Sequence, residues 1–80
     1  MPEYCFWEHA LHSIHKRGLT IEQVRYVIEH PERTEPGYEG RTVHERELKF
    51  PDGRRHRVFV VVDYNPEIPA VVTVLLDDRS

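Results

Sequence analysis

Val58-Phe59-Val60-Val61-Val62 is followed by Asp63-Tyr64-Asn65-Pro66-Glu67-Ile68-Pro69 and then by Val71-Val72-Thr73-Val74-Leu75-Leu76. Two β-branched runs separated by a segment rich in Pro, Asn and Asp predict two neighbouring antiparallel strands. Neither run alternates apolar with polar residues, which predicts that both faces of each strand are covered. Such strands are central, and the rest of the chain is expected to cover or extend them.

Working outward, Pro51-Asp52-Gly53 is a turn, because glycine reaches positive φ without steric cost. It joins a strand over Arg41 to Phe50 to a return strand over Arg54 to Asp63. Val43 has the opposite parity to Leu48 and Phe50, which predicts a bulge between them. Glu32 to Gly40 contains Pro36, Gly37 and Gly40 and reads as a loop. Before it, Thr20-Ile21-Glu22-Gln23 forms a capping box, in which the Thr hydroxyl and the Gln side chain each satisfy a backbone N–H. The helix that follows runs from about Ile21 to Glu29, buries Ile21, Val24, Val27 and Ile28, and stops near His30 because Pro31 disfavours helical geometry in its predecessor. An earlier helix covers about Glu8 to Arg17, with Trp7, Ala10, Leu11 and Ile14 as its apolar stripe and Gly18 at its left-handed C-cap. Tyr4-Cys5-Phe6-Trp7 is either a brief edge strand or the lead-in to that helix. The expected fold is α+β in a single domain: two N-terminal helices on a three-stranded antiparallel meander, or a four-stranded sheet if the N-terminal run pairs.

The helices of such a fold cover one face of the sheet. The other must be closed by the N-terminal aromatics or by another chain, either a second copy or a cognate binding protein. The 80 residues, 39% hydrophobic and 31% charged, describe a globular rather than a disordered chain, near the size where one core gives marginal stability. One cysteine, Cys5, excludes an internal disulfide and a cysteine-based zinc site and suits a reducing compartment. Met1-Pro2-Glu3-Tyr4 lacks the basic region of a signal peptide, and no apolar run approaches the roughly 20 residues needed to span a bilayer. The expectation is a cytoplasmic protein with no membrane association.

The formal net charge is −3, yet residues 41–57 carry six Lys/Arg (Arg41, Arg46, Lys49, Arg54, Arg55, Arg57) against three Asp/Glu (Glu45, Glu47, Asp52). A local basic patch can meet phosphates, and it equally serves to solubilise a hairpin and protect it from edge pairing. His9, His12 and His15 recur every third residue on the first helix. A pair at that spacing can chelate a transition metal, but no properly spaced third ligand accompanies it, so neither metal nor cofactor is expected. No phosphate-cradling glycine loop and no Ser/His/Asp arrangement is present.

The stretch His9-Ala10-Leu11-His12-Ser13-Ile14-His15-Lys16-Arg17-Gly18-Leu19-Thr20, with Val24, Ile28, Pro31 and Glu32 after it, resembles the small bacterial family filed as domain of unknown function 4258. That family opens with a His-Ala pair on a helix, ends the helix in Arg-Gly-Ile/Leu-Ser/Thr, and finishes with basic and valine-rich strands. The resemblance covers almost the whole chain through short, degenerate motifs. It implies a distant similarity to toxins of the RelE/ParE and BrnT kind, hence a RelE-like fold, metal-independent endoribonuclease activity on RNA, and control by an antitoxin-like partner. On that basis His9 matches the family's histidine and Arg17 its helix-terminal arginine, while Ser13 stands where a second arginine is frequent. The acidic net charge also departs from the basic habit of such toxins.

RNA cleavage through a 2′-hydroxyl needs a general base, an acid and cations on the phosphorane. The candidate set is His9 as base or acid, with Arg17, Arg46 and Arg57 on the phosphate. Alternatively, Arg17 complements the helix dipole and Arg57 is a cross-strand partner of Glu47. The contrasting function is a non-catalytic binding or dimerisation module built on the valine-rich sheet. A third is a phosphate or nucleic-acid binder that does not cleave. Catalysis requires His9 and the arginines to converge in a concave site, whereas a binding module requires an exposed apolar face or an open strand edge.

Overall fold

The structure, a computed structural model, describes residues 3–77. Strand β1 (Cys5–Phe6) leads into helix α1 (Glu8–Lys16) and helix α2 (Ile21–Glu29). Strand β2 (Arg33–Pro36), a 3₁₀ turn (Tyr38–Gly40) and strands β3 (Arg41–Lys49), β4 (Arg55–Asp63) and β5 (Ala70–Asp77) follow. The sheet is five-stranded and mixed, in the order β1-β5-β4-β3-β2, with β1 parallel to β5 and every other pair antiparallel. The α+β class and the central β3-β4-β5 meander are as expected, and the count of three or four antiparallel strands is corrected to five. Both additions lie at the edges: β1 realises the brief edge strand that is one alternative for Tyr4-Cys5-Phe6-Trp7, and β2 is not expected. β1 has two residues, tied by Cys5 N–H to the Pro69 carbonyl at 2.8 Å and by Trp7 N–H to the Val71 carbonyl at 3.0 Å. β2, Arg-Thr-Glu-Pro, is exposed along its whole length and lies within the segment expected to be a loop.

The helix ends follow their sequence signals. Thr20 Oγ1 accepts from Gln23 N–H at 3.1 Å and Gln23 Oε1 from Thr20 N–H at 2.9 Å, the reciprocal pair of a capping box. Gly18 takes φ +69°. Its N–H donates to the His15 carbonyl and that of Leu19 to the Ile14 carbonyl, which is a Schellman closure of α1.

Register explains the burial. Val58, Val60 and Val62 of β4, with Val71 and Val74 of β5, point to the helices and are fully buried against Ala10, Ile14, Leu19, Val24, Val27 and Ile28. Each such side chain is worth about 1.5–3 kcal/mol relative to exposure. The apolar stripes turn slightly from their expected directions. Ala10, Ser13 and Ile14 are the buried residues of α1, while Trp7 and Leu11 are 43% and 44% exposed. On α2, Ile21 at the first turn is also largely exposed. No bulge interrupts β3, whose pairing with β4 runs unbroken from Arg41↔Asp63 to Lys49↔Arg55. Val43 and Leu48 differ in parity because they serve opposite faces. The bulge lies in β5, where the register shifts between Val61↔Thr73 and Val62↔Val71. Among the described residues, no helix is long and apolar enough to cross a membrane.

Candidate functional site

The face of the sheet turned away from the helices is uncovered. Reading across the strands, one row is Arg33, Glu45, Phe59 and Leu75, and the next is Glu35, Val43, Val61 and Thr73. Phe59, Val61, Val43 and Thr73 are half-buried, and Leu75 is 46% exposed. Trp7 sits beside this face, its ring 5.4 Å from the guanidinium carbon of Arg41, which shares parity with Val43. The expectation that both faces are covered therefore holds only for the helix side.

Charges surround the apolar centre, and most of them are paired with one another. Arg57 Nε lies 3.0 Å from Glu45 Oε1, and its Nη1 and Nη2 donate to Glu32 Oε1 at 3.1 and 3.3 Å. The same Glu32 oxygen accepts from Glu47 N–H at 2.8 Å. Arg33 pairs with Glu35, Arg41 with Glu39 and Arg55 with Glu47. By register and alternation the face holds Arg33, Arg41, Lys49, Arg55 and Arg57 against Glu35, Glu45, Glu47, Asp63 and Asp77, and the carboxylates of Glu32 and Glu39 reach Arg57 and Arg41 as well, so acidic groups outnumber basic ones by two.

On the helix side, at the far end of the β3–β4 hairpin, a cleft of about 410 Å³ is lined by Lys16, Arg17, Phe50, Asp52, His56 and Leu76. The hairpin turn is held by Phe50 N–H to the Arg54 carbonyl at 2.8 Å and by Asp52 Oδ1 accepting from Arg54 N–H at 2.9 Å. Gly53 takes φ +86° there. This closure brings His56 against Phe50, ring centroids 4.7 Å apart and edge to face.

A third polar group is internal. His44 is 5% exposed. Its Nδ1 lies 3.3 Å from the Val60 carbonyl and its Nε2 2.9 Å from Tyr64 Oη. A carbonyl can only accept, so Nδ1 carries the proton and Nε2 accepts from the tyrosine. Burial holds the His44 pKa below its usual 6.5, against the opposing effect of the Val60 hydrogen bond. Burial also pushes the Tyr64 phenol up, with a smaller contribution from neighbouring Tyr4.

The four residues singled out for phosphate chemistry are placed separately. His9 is exposed on α1. Arg17 lines the cleft. Arg46 Nη1 donates to the His30 carbonyl at 2.7 Å, and its guanidinium lies 5.0 Å from the Tyr26 ring centroid. It thus brings to the end of α2 the cation that the last turn of that helix lacks. Arg57, one residue out of phase with the partner of Arg46, belongs to the opposite face and is held by two glutamates. Glu47 is its register partner, as expected from the turn, but the side chain reaches Glu45 and Glu32 instead. The structure therefore brings none of the four together. The residues missed by the sequence argument are Lys16, Phe50 and His56. The hairpin register carried that signal, since it sets His56 opposite Leu48 and next to the turn.

No protein-family model, no curated protein and no solved structure matches this chain.

Proposed function

We propose that this chain is a non-catalytic association module that dimerises through the open face of its sheet. The observation that supports the reading is the uncovered strip of Val43, Phe59, Val61 and Leu75, with Trp7 beside it, inside a rim of internally paired charges. An apolar centre with aromatic anchors and a polar rim is the anatomy of a protein interface. The slight excess of carboxylates on the face disfavours a polyanionic partner, and its interleaved charges of both signs suit a second copy, which can meet each with its opposite. Three strands of eight or nine residues, flanked by the four-residue β2, give a footprint of roughly 14–19 by 28 Å. That is smaller than the roughly 800 Å² per partner of a standard interface, so a weak dimer is expected. Two such faces pack about 10 Å apart, as in other sheet-on-sheet contacts.

Sedimentation of the wild type and of Leu75→Glu at tens of micromolar tests this. Leu75 is already half exposed, so glutamate there leaves the monomer folded. A wild-type dimer that becomes a monomer in the variant supports the reading. A monomeric wild type, or a dimer unaffected by the substitution, overturns it.

A metal-independent endoribonuclease, with the RelE-like architecture and antitoxin-like partner implied by the resemblance, is the second reading. It draws on Arg17 at a concave surface. Metal-free incubation with total RNA, beside Arg17→Ala and His9→Ala, tests it: cleavage abolished by either substitution supports it, and intact RNA in all samples removes it.

A further inference from the structure

We propose that the cleft between the end of α1 and the tip of the β3–β4 hairpin binds the phosphate of a nucleotide, with Arg17 and Lys16 as its cationic wall. The site lies on the helix side of the sheet and is independent of dimerisation through the open face.

Three observations carry the assignment. First, these two cations are not committed elsewhere. Arg33, Arg41, Arg55 and Arg57 each sit against a glutamate, and Arg46 against a carbonyl. Lys16 and Arg17 make no ion pair among the described residues, and the buried Nε of Arg17, like those of Arg25 and Arg41, has no hydrogen-bond partner, but only that of Arg17 lies at this cleft. A buried guanidinium donor left unmade is costly, and an anionic oxygen is the partner that relieves it best.

Second, the usual structural employment of cations at a helix C-terminus is already met by the backbone. Gly18 and Leu19 N–H satisfy the His15 and Ile14 carbonyls, and Arg17 N–H satisfies that of Ser13. The side chains of Lys16 and Arg17 are therefore released from capping.

Third, the remaining walls fit the rest of a nucleotide. Phe50 and Leu76 give an apolar and aromatic surface beside the cations, on which a base can stack. His56 supplies a further polar edge. The volume of about 410 Å³ exceeds what a bare phosphate fills and lies within the usual range for small-ligand sites. Asp52 is the one carboxylate in the lining, and one of its oxygens is engaged by Arg54 N–H in the turn.

The phosphate ester could belong to a free nucleotide or to the backbone of a single-stranded RNA, and the experiment separates the two. Amide and side-chain NMR shifts of the intact chain are followed during titration with adenosine 5′-monophosphate, adenosine, inorganic phosphate and a short oligoadenylate. The expected result is saturable shifts at Arg17, Gly18, Phe50 and His56 with the monophosphate, weaker ones with phosphate alone and none with adenosine. Arg17→Gln should weaken binding by about tenfold or more, the usual worth of a charge-assisted hydrogen bond. Lys16→Gln, at an exposed position where folding is not at risk, should weaken it by a smaller factor. Oligoadenylate binding tighter than the monophosphate, with a steep salt dependence, assigns the site to RNA; equal or weaker binding assigns it to free nucleotides. Absence of saturable shifts at millimolar monophosphate, or shifts that persist unchanged in both variants, overturns the proposal.

Discussion

Protonating His44 should destabilise this protein from within, and the sign of the effect follows from its surroundings. The imidazole is almost wholly buried, donates from Nδ1 to the Val60 carbonyl and accepts at Nε2 from Tyr64. A second proton would go to Nε2, where the tyrosine hydroxyl must reverse to accept it, and a charge would lie beneath α2. The folded pKa accordingly lies below 6.5, so in acid the unfolded chain binds a proton that the native chain refuses. The sign is then fixed. Above pH 6.5 this histidine leaves stability unchanged. As pH falls through 6.5 stability declines, with a limiting slope of about 1.4 kcal/mol per pH unit, until the folded pKa is reached. With a urea m-value of about 1 kcal/mol/M for a small domain, the unfolding midpoint moves down by up to about 1.4 M per pH unit. The Tyr64 phenol stays neutral throughout this range because burial raises its pKa. Urea denaturation from pH 7.5 to pH 5, at one fixed protein concentration, is compared between the wild type and His44→Gln, which keeps hydrogen-bonding capacity but cannot titrate. The variant should start less stable and lose less stability in acid. Parallel pH profiles for the two proteins would refute the argument, because the acid sensitivity would then belong to other groups.

Val60→Ala removes two methyl groups from a side chain with no exposure in the centre of the core. A loss of about 2–3 kcal/mol, transfer plus residual cavity, is expected in the same urea experiment; a loss below about 1 kcal/mol would mean that the core collapses around the gap. Arg46→Gln removes the cation bound to the His30 carbonyl. It should cost about 1–2 kcal/mol and speed hydrogen exchange in the last turn of α2, while leaving nucleotide shifts at the Arg17 cleft unchanged. Altered nucleotide binding without faster exchange would instead place Arg46 in a ligand site.

The legible parts of this fold are those whose signal is local. The Thr20–Gln23 capping box, Gly18 beyond α1, the Pro51-Asp52-Gly53 turn and the β4–β5 pair each depend on a few neighbouring residues, and each forms as read. What sequence could not supply was any feature set by a distant partner. β1 is legible only as one of two alternatives for Tyr4-Cys5-Phe6-Trp7, and what decides it, with its parallel direction, is that Pro69 and Val71 offer backbone groups to Cys5 and Trp7. β2 pairs through a polar segment ending in Pro36, whose composition alone indicates a loop. Leu11 and Ile21 fit a helical stripe by spacing but fall outside the arc that the sheet covers. Among the site residues, Arg46 and Arg57 look equivalent in sequence. Their opposite parity, fixed by register, sends one to the end of α2 and the other to a pair of glutamates.

The same parity governs how the valine run itself should be understood. Val58, Val60 and Val62 are committed to the helices and leave no room for other service. Phe59 and Val61, between them, contribute nothing to that core, yet they are apolar where a solvated face would favour threonine, lysine or glutamate. A strand that is apolar on both faces, in a chain whose helices cover one, is the pattern from which dimerisation through the open face is proposed. The carboxylates around that strip outnumber its cations, which disfavours a polyanion there. Lys16 and Arg17, cations without an ion pair among the described residues, lie on the other side. The two surfaces thus differ in chemistry as well as in position, one suited to association through apolar contact and the other to an anion. A substitution on either surface should therefore leave the property proposed for the other unchanged.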